Sequence, residues 1–255
     1  MKPAEIFEKI FKEKLIFNSD KLQFISSVMS CFRDIPYENI SKINLLKPTL
    51  RTPEIVMHDF EKFGLGGTCF SLTWLLKIVL NYFGEEFAVY SADRTYGENT
   101  HCAGVWTDSN GAKYLLDVGY LIFTPVLIPQ NEKESEFSFG SFDFKIVNSN
   151  SRLQVYSKTK NADYKFRYVI KMDKISDSDF MDIWIKSFEF AMMNNIIVNK
   201  YLGSDLVYIK DCRINFAGKA KKVSQDEVIN FISELGISST ETQKAFEKIK
   251  KNGKS

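Results

Sequence analysis

Gly66-Gly67-Thr68-Cys69-Phe70 leads into Ser71-Leu72-Thr73-Trp74-Leu75-Leu76-Lys77-Ile78-Val79-Leu80, and the reading of this stretch decides the fold. The glycine pair permits a tight turn and a close approach to the backbone. The run after it is apolar on every side, and such a helix belongs at the centre of a structure. Gly84 is placed to end it. Cys69 therefore stands at the start of a central helix, where the helix dipole and free backbone N–H groups favour a thiolate. Two further residues follow in order. His101 begins His-Cys-Ala-Gly-Val-Trp, a strand-like run, and Asp117 lies in Tyr-Leu-Leu-Asp-Val-Gly, another, after the turn Asp108-Ser109-Asn110-Gly111. A nucleophile at a helix start, with a base and its orienter on neighbouring strands, is a layout for cysteine-dependent acyl transfer.

Upstream of this stretch the chain reads as helices. Ile6, Ile10, Phe11 and Leu15 approximate one apolar face, and Leu22, Ile25, Val28 and Met29 another. Downstream, short strands are expected at 86–91, 102–107, 113–118, 142–147, 152–158 and 165–171, spaced as in a small barrel or sandwich. Helical signals return over 178–193. A strand pair at 206–210 and 213–216 then precedes a helix whose start carries Ser224 and Glu227, a capping box.

The balance of 34 basic and 32 acidic residues, net +2, leaves no electrostatic footprint for nucleic acid or a membrane surface. The basic tail, 244–254, reads as a solvated helix end. No signal-peptide pattern or apolar run of spanning length is present, so a cytoplasmic protein with reduced thiols is expected. Four scattered cysteines and two histidines, with no metal-like spacing, predict no metal site.

Other residues compete for the catalytic roles. His58 sits in a helical context without glycine-rich or strand neighbours, so a structural or surface role is expected. Cys31 reads as helix packing, and Cys212 lies beside a basic strand. Strand alternation turns Cys102 away from the side His101 faces, which makes it a packing residue. Asp93 and Asp108 are alternatives to Asp117, but both lie in loop or turn sequence that explains them already. Asp117, flanked by apolar residues, needs a buried partner, and the imidazole is the obvious one.

These residues carry a resemblance to the arylamine N-acetyltransferases. Ile35-Pro36-Tyr37-Glu38-Asn39-Ile40 resembles that family's Pro-aromatic-Glu-Asn-aliphatic motif, and Gly66-Gly67-Thr68-Cys69-Phe70 its nucleophile segment. Thr100-His101 with Val105 resembles the Thr-His strand. Tyr114-Leu115-Leu116-Asp117-Val118-Gly119-Tyr120, with Pro125 beyond, resembles the Asp-Val-Gly-aromatic strand. The resemblance implies an α+β fold with a papain-like Cys-His-Asp core. Its parts would be an N-terminal helical bundle (1–84), a central β-barrel (85–190) and a C-terminal α/β lid (191–255). It also implies acetyl-CoA as co-substrate and an acetyl-cysteine intermediate at Cys69, with an aromatic amine or hydrazine as acceptor. Many relatives act on foreign aromatic amines. Tyr37 and Phe70 are the expected aromatic walls of the acceptor pocket.

The chain departs from the family pattern at several points. Leu65 replaces an Arg, Ser71 and Thr73 stand near the usual Glu and Asn, Leu121 follows where Gly is common, and Leu206 replaces a lid aromatic. Without the Arg, Glu38 must find another donor. The other readings are a same-fold acyltransferase or amide synthase with a different acyl donor, a cysteine hydrolase or transglutaminase-like enzyme, and an inactive binding relative. The Pro-Tyr-Glu-Asn motif argues against the hydrolase.

Overall fold

Phenylalanines anchor the first two helices. The structure, a computed structural model, describes residues 2–130 and 133–252; Met1 and Lys254, the ends of the expected helical segment and basic tail, lie outside them. Helix α1 (Pro3–Phe11) starts at Pro3, with the Lys2 N–H donating to Glu5 at 2.8 Å, and buries Phe7 and Phe11. Helix α2 (Lys21–Cys31) is capped by Asp20, which accepts the Gln23 N–H at 3.1 Å. Its inward face is Phe24, Ile25, Val28 and Met29, while Leu22 points outward. A two-residue strand, β1 (Tyr37–Glu38), and a short helix, α3 (Ile40–Ile43), follow. Helix α4 (Pro53–Phe63) ends on left-handed Gly64, and α5 (Cys69–Tyr82) is the apolar run itself. Leu75, Leu76, Val79 and Leu80 of α5 are wholly buried, packed among α1, α4 and the strands that come next.

Eight antiparallel strands form a nearly closed barrel: β2 (Phe87–Arg94), β3 (Gly97–Thr107), β4 (Lys113–Asp117), β5 (Ile122–Leu127), β6 (Lys133–Phe139), β7 (Phe142–Ser149), β8 (Arg152–Thr159) and β9 (Lys165–Lys171). The order is β5-β4-β3-β2-β9-β8-β7-β6. All six expected strands are present, and β5 and β6 are additional. These two stand at the ends of the order, where an edge strand tolerates Pro125 in one and the charged, polar pattern Lys-Glu-Ser-Glu in the other. Ala103, Val105, Leu115, Ile146, Val155 and Ile170 fill the interior.

Helix α6 (Asp177–Lys186) then returns to the helical layer, where Phe180 stacks on Trp74 at 5.2 Å. It stops at Lys186 and gives way to 3-10 turns, shorter than the helix expected over 178–193. Strands β10 (Ile197–Leu202), β11 (Asp205–Lys210), β12 (Arg213–Phe216) and β13 (Lys219–Lys222) join β1 in a five-stranded sheet. Helix α7 (Gln225–Glu234) begins at the expected capping box, and α8 (Ser239–Asn252) packs with it over a separate core of Val198, Val207, Ile209, Val228 and Ile232. No helix among the described residues is long and apolar enough to cross a membrane.

The Pro-Tyr-Glu-Asn motif ties these layers together. Tyr37 and Glu38 pair with Asn199 and Val198. Asn39, wholly buried, donates to the carbonyls of Met192 (3.0 Å) and Asn195 (2.8 Å) and accepts the Ile197 N–H at 2.8 Å. Glu38 accepts the N–H (2.8 Å) and the hydroxyl (2.6 Å) of Ser41, the donor that Leu65 could not supply. Leu65 itself joins the second core. The local cation is Arg51, buried, 2.7 Å from Asp59 and donating to the Gly66 carbonyl at 3.1 Å. Burial raises the Glu38 carboxyl above its usual range, and the Arg51 charge opposes that. Removing one member of a buried ion pair strands the other. Arg51→Met is therefore expected to lower stability by about 3 kcal/mol, read from urea unfolding; an unchanged midpoint would show that the pair holds nothing.

Candidate active site

Three side chains from different elements meet at the seam between α5 and the barrel. Cys69 is the first residue of α5, after Thr68. The glycines before it are required by packing: a Cβ on Gly66 would lie 2.0 Å from the Pro36 carbonyl oxygen. Gly67 donates to that oxygen at 3.3 Å and accepts the Glu38 N–H at 3.0 Å, so the turn lies flat against β1. Gly119 closes the other side. A Cβ there would sit 2.7 Å from Cys69 Cβ and 2.8 Å from its Cα, closer than real contacts come. Gly119→Ala is thus expected to displace Cys69 and cut any reaction at its sulfur by about a hundredfold, with the fold retained. Iodoacetamide labelling of Cys69 measures this; an unaltered rate would refute the steric argument.

His101 on β3 and Asp117 at the end of β4 are wholly buried, with Nε2 2.9 Å from Asp117 Oδ2. The Tyr120 N–H donates to Oδ1 at 2.8 Å, and the Tyr168 hydroxyl donates to Oδ2. The carboxylate is therefore fixed from three sides. Nε2 being taken, Nδ1 is left for Cys69 and for the Arg94 guanidinium, 3.4 Å away. Burial is the largest influence on His101 and disfavours the imidazolium, but the Asp117 charge together with the hydrogen bonds to Asp117 and Cys69 raises its pKa on balance.

Cys69 is held well below the usual thiol range. The Cys102 thiol donates to it, and His101 and the Arg94 charge act in the same direction against burial. Cys102 moves the other way, pushed up by burial and by the neighbouring sulfur. With the helix start, the imidazole and the guanidinium all on its side, Cys69 is the thiol that ionises. Alternation along β3 does separate the two side chains: Cys102 faces the helical core and His101 meets barrel residues. Cys69, lying on the seam, touches both.

The other candidates fall to structural duties. Asp93 accepts the Asn99 N–H and pairs with Lys171 at 3.0 Å, and Asp108 caps its own turn through Asn110 and Ala112. His58 is exposed beside Asp59. Burial pushes the Cys31 thiol up to about 12. Among the described residues, no group of three or more His, Cys, Asp and Glu side chains could hold a metal ion.

A cavity of about 450 Å³ adjoins the seam, bounded by Arg94, Gly119 and Tyr120 on the barrel side and by Tyr201, Leu206 and Tyr208 on the second sheet. Tyr37 lines it. Phe70 does not. One residue along a helix turns a side chain by about 100°, which sends Phe70 into the core against Phe180, with ring centroids 5.7 Å apart. The aromatic wall expected of Phe70 is supplied instead by Tyr120, Tyr201 and Tyr208. Leu121, in the glycine position of the family pattern, takes a left-handed φ of 63°, a strained conformation for leucine. The sequence reading missed Arg94, Tyr120, Arg167 and Tyr168, and it took for packing alone the Cys102 whose thiol donates to Cys69. Only Tyr120 had a local signal, as the aromatic of Asp-Val-Gly-Tyr.

Residues 21–204 match the family model described as N-acetyltransferase. The fold is that of solved arylamine N-acetyltransferases. The one from Salmonella typhimurium superposes with TM-score 0.79 at 12% identity, covering 96% of this chain and 98% of that one. The one from Mycobacterium abscessus gives 0.81 at 14%, covering 96% and 94%. The Mycobacterium marinum enzyme in complex with CoA gives 0.78 at 12%, covering 97% and 98%. No curated protein matches in sequence. On the match over 21–204, the chain belongs to the arylamine N-acetyltransferase family.

Proposed function

We propose that this chain transfers an acetyl group from acetyl-CoA, through an acetyl-cysteine at Cys69, to the nitrogen of an aromatic amine or hydrazine. The observation that carries this reading is the His101 imidazole, bound to Asp117 on one nitrogen and open to Cys69 on the other, beside a tyrosine-lined cavity. The Cys69 thiolate attacks the thioester carbonyl. The tetrahedral intermediate collapses, the C–S bond to CoA breaks, and the leaving thiolate takes the imidazolium proton. An amine then attacks the acetyl-cysteine, His101 accepts its proton, and the Cys69 thiolate departs. The first exchange, thioester for thioester, is nearly balanced; the second forms the more stable amide. CoA in the Mycobacterium marinum relative supports the donor, and the aromatic walls, Tyr37 among them, suit an aryl acceptor. A reducing, cytoplasmic setting accords with four free thiols.

The test is intact-protein mass spectrometry after brief exposure to acetyl-CoA. A single acetyl gain that needs Cys69 and is discharged by an aromatic hydrazine is expected. A folded protein that gains no acyl group from acetyl-CoA or a longer-chain panel would remove the transferase reading.

A further inference from the structure

Among the described residues, two guanidinium groups in the cavity have no carboxylate partner. Arg94 and Arg167 both line it, and within those residues no acidic side chain does and neither arginine forms an ion pair. The Arg94 side chain donates to the Tyr96 hydroxyl at 3.1 Å and approaches His101 Nδ1, while its buried Nε has no partner there. Arg167 donates through Nε to Ser157 at 2.8 Å. Tyr120 stands between them: the Arg94 guanidinium lies 5.2 Å from its ring centroid, and both charges act on its hydroxyl.

Backbone irregularities deliver both residues. Along β8 and β9 the register passes from Val155 opposite Tyr168 to Tyr156 opposite Phe166, which leaves Arg167 as the extra residue of a bulge. Along β2 and β3 it shifts between Ala92 and Arg94, where Asn99 takes a left-handed φ of 53°. Bulges redirect side chains and interrupt pairing beside active sites. Here two of them bring like charges to one cavity; Arg94 already faces the Cys69 sulfur, and an entering anion would serve both guanidinium groups. Arg94 also sits against the imidazole, so each protonation of His101 sets two cations side by side.

We propose that the cavity selects a substrate bearing a carboxylate, which Arg94 and Arg167 bind together. This deepens the acyl-transfer reading and rests on it for the identity of the bound molecule. The carboxylate has two possible sources: the ring of an aromatic amine such as 4-aminobenzoate, or the free end of a dicarboxylic acyl group such as malonyl. The phosphates of a CoA donor are excluded, because Arg94 touches the reacting imidazole and the phosphates lie a pantetheine length from the thioester.

Two arms test it. In the first, calorimetry with the Cys69→Ala protein compares 4-aminobenzoate with its methyl ester, a readout that needs no turnover. In the second, wild-type Cys69 is acylated with malonyl-CoA or propionyl-CoA and weighed intact. The anion is expected to be favoured at least about tenfold in one arm, which names the source. Arg94→Gln and Arg167→Gln should each reduce that preference about tenfold, and Arg94→Lys should keep part of it. Equal treatment of anion and neutral analogue in both arms overturns the proposal, as does a preference that survives both glutamine variants. Failure of the transferase reading looks different: no acyl gain at Cys69 from any donor, whatever the binding arm shows.

Discussion

Replacing Cys69 by serine is expected to lower acetyl transfer by about ten-thousandfold or more, with the fold intact. Ionisation sets the size of the effect. The Cys102 thiol, His101 and Arg94 together lower the Cys69 pKa well below the usual thiol range, which favours the thiolate. A serine hydroxyl lies so far above neutrality that the same neighbours leave it protonated, and its attack then requires full proton removal in the transition state. Serine is also smaller, so its oxygen sits farther from both the imidazole and a carbonyl positioned for sulfur. Transfer to an aromatic hydrazine gives the rate, and far-UV circular dichroism gives the fold. A serine variant that keeps a hundredth of the activity would mean that the sulfur is not the acyl carrier. A pH series adds a second reading. Cys69 should alkylate rapidly until the pH falls through its lowered value, whereas Cys102, pushed up by burial, should stay unmodified.

How far the sequence could be read depended on how local each signal was. The run after Cys69 announced a buried helix by composition, and Ser224 with Glu227 announced a helix start by spacing alone. The six expected strands alternate or carry β-branched and aromatic residues. The ones left unread carry such residues too, but interrupted by features that hide the pattern. β5 contains a proline, β6 is polar, and β10 needs its partners β1 and β11 before its pattern means anything. Cys69, His101 and Asp117 were grouped from sequence because each carries its own context, and the structure brings the three side chains together. Arg94 and Arg167 had no such context. Their aim depends on register shifts, which exist only between paired strands. Arg51 illustrates the same limit. It stands fourteen positions before Leu65, and only the folded chain brings it to Asp59 and the Gly66 carbonyl. Phe70 followed a motif, while the helix geometry that turns it inward lay outside the motif.

Asp117→Asn should produce the second large effect, about a thousandfold to ten-thousandfold fall in turnover together with a changed pH profile. The carboxylate accepts from His101, Tyr120 and the Tyr168 hydroxyl at once. An amide in the same place can present its oxygen to only some of these donors, and its NH2 group must face another. Either a donor–donor clash arises or the imidazole adopts the wrong tautomer. The electrostatic consequence has a definite sign. Burial, the largest influence, lowers the His101 pKa, and the Asp117 charge with the hydrogen bonds to Asp117 and Cys69 raises it on balance. Without that charge the His101 pKa falls, and Cys69 loses the cation that helps to hold its own value down. In the native protein, activity should rise as pH passes the lowered Cys69 value and fall as it passes the raised His101 value. In Asp117→Asn the acid limb moves up and the alkaline limb moves down, so the window between them narrows from both sides. Acylation rates of Cys69 across pH, measured before any acceptor is added, separate this from a loss of packing. A variant that merely packs poorly would lose amplitude and keep both limbs in place, and that outcome would reduce Asp117 to a structural group.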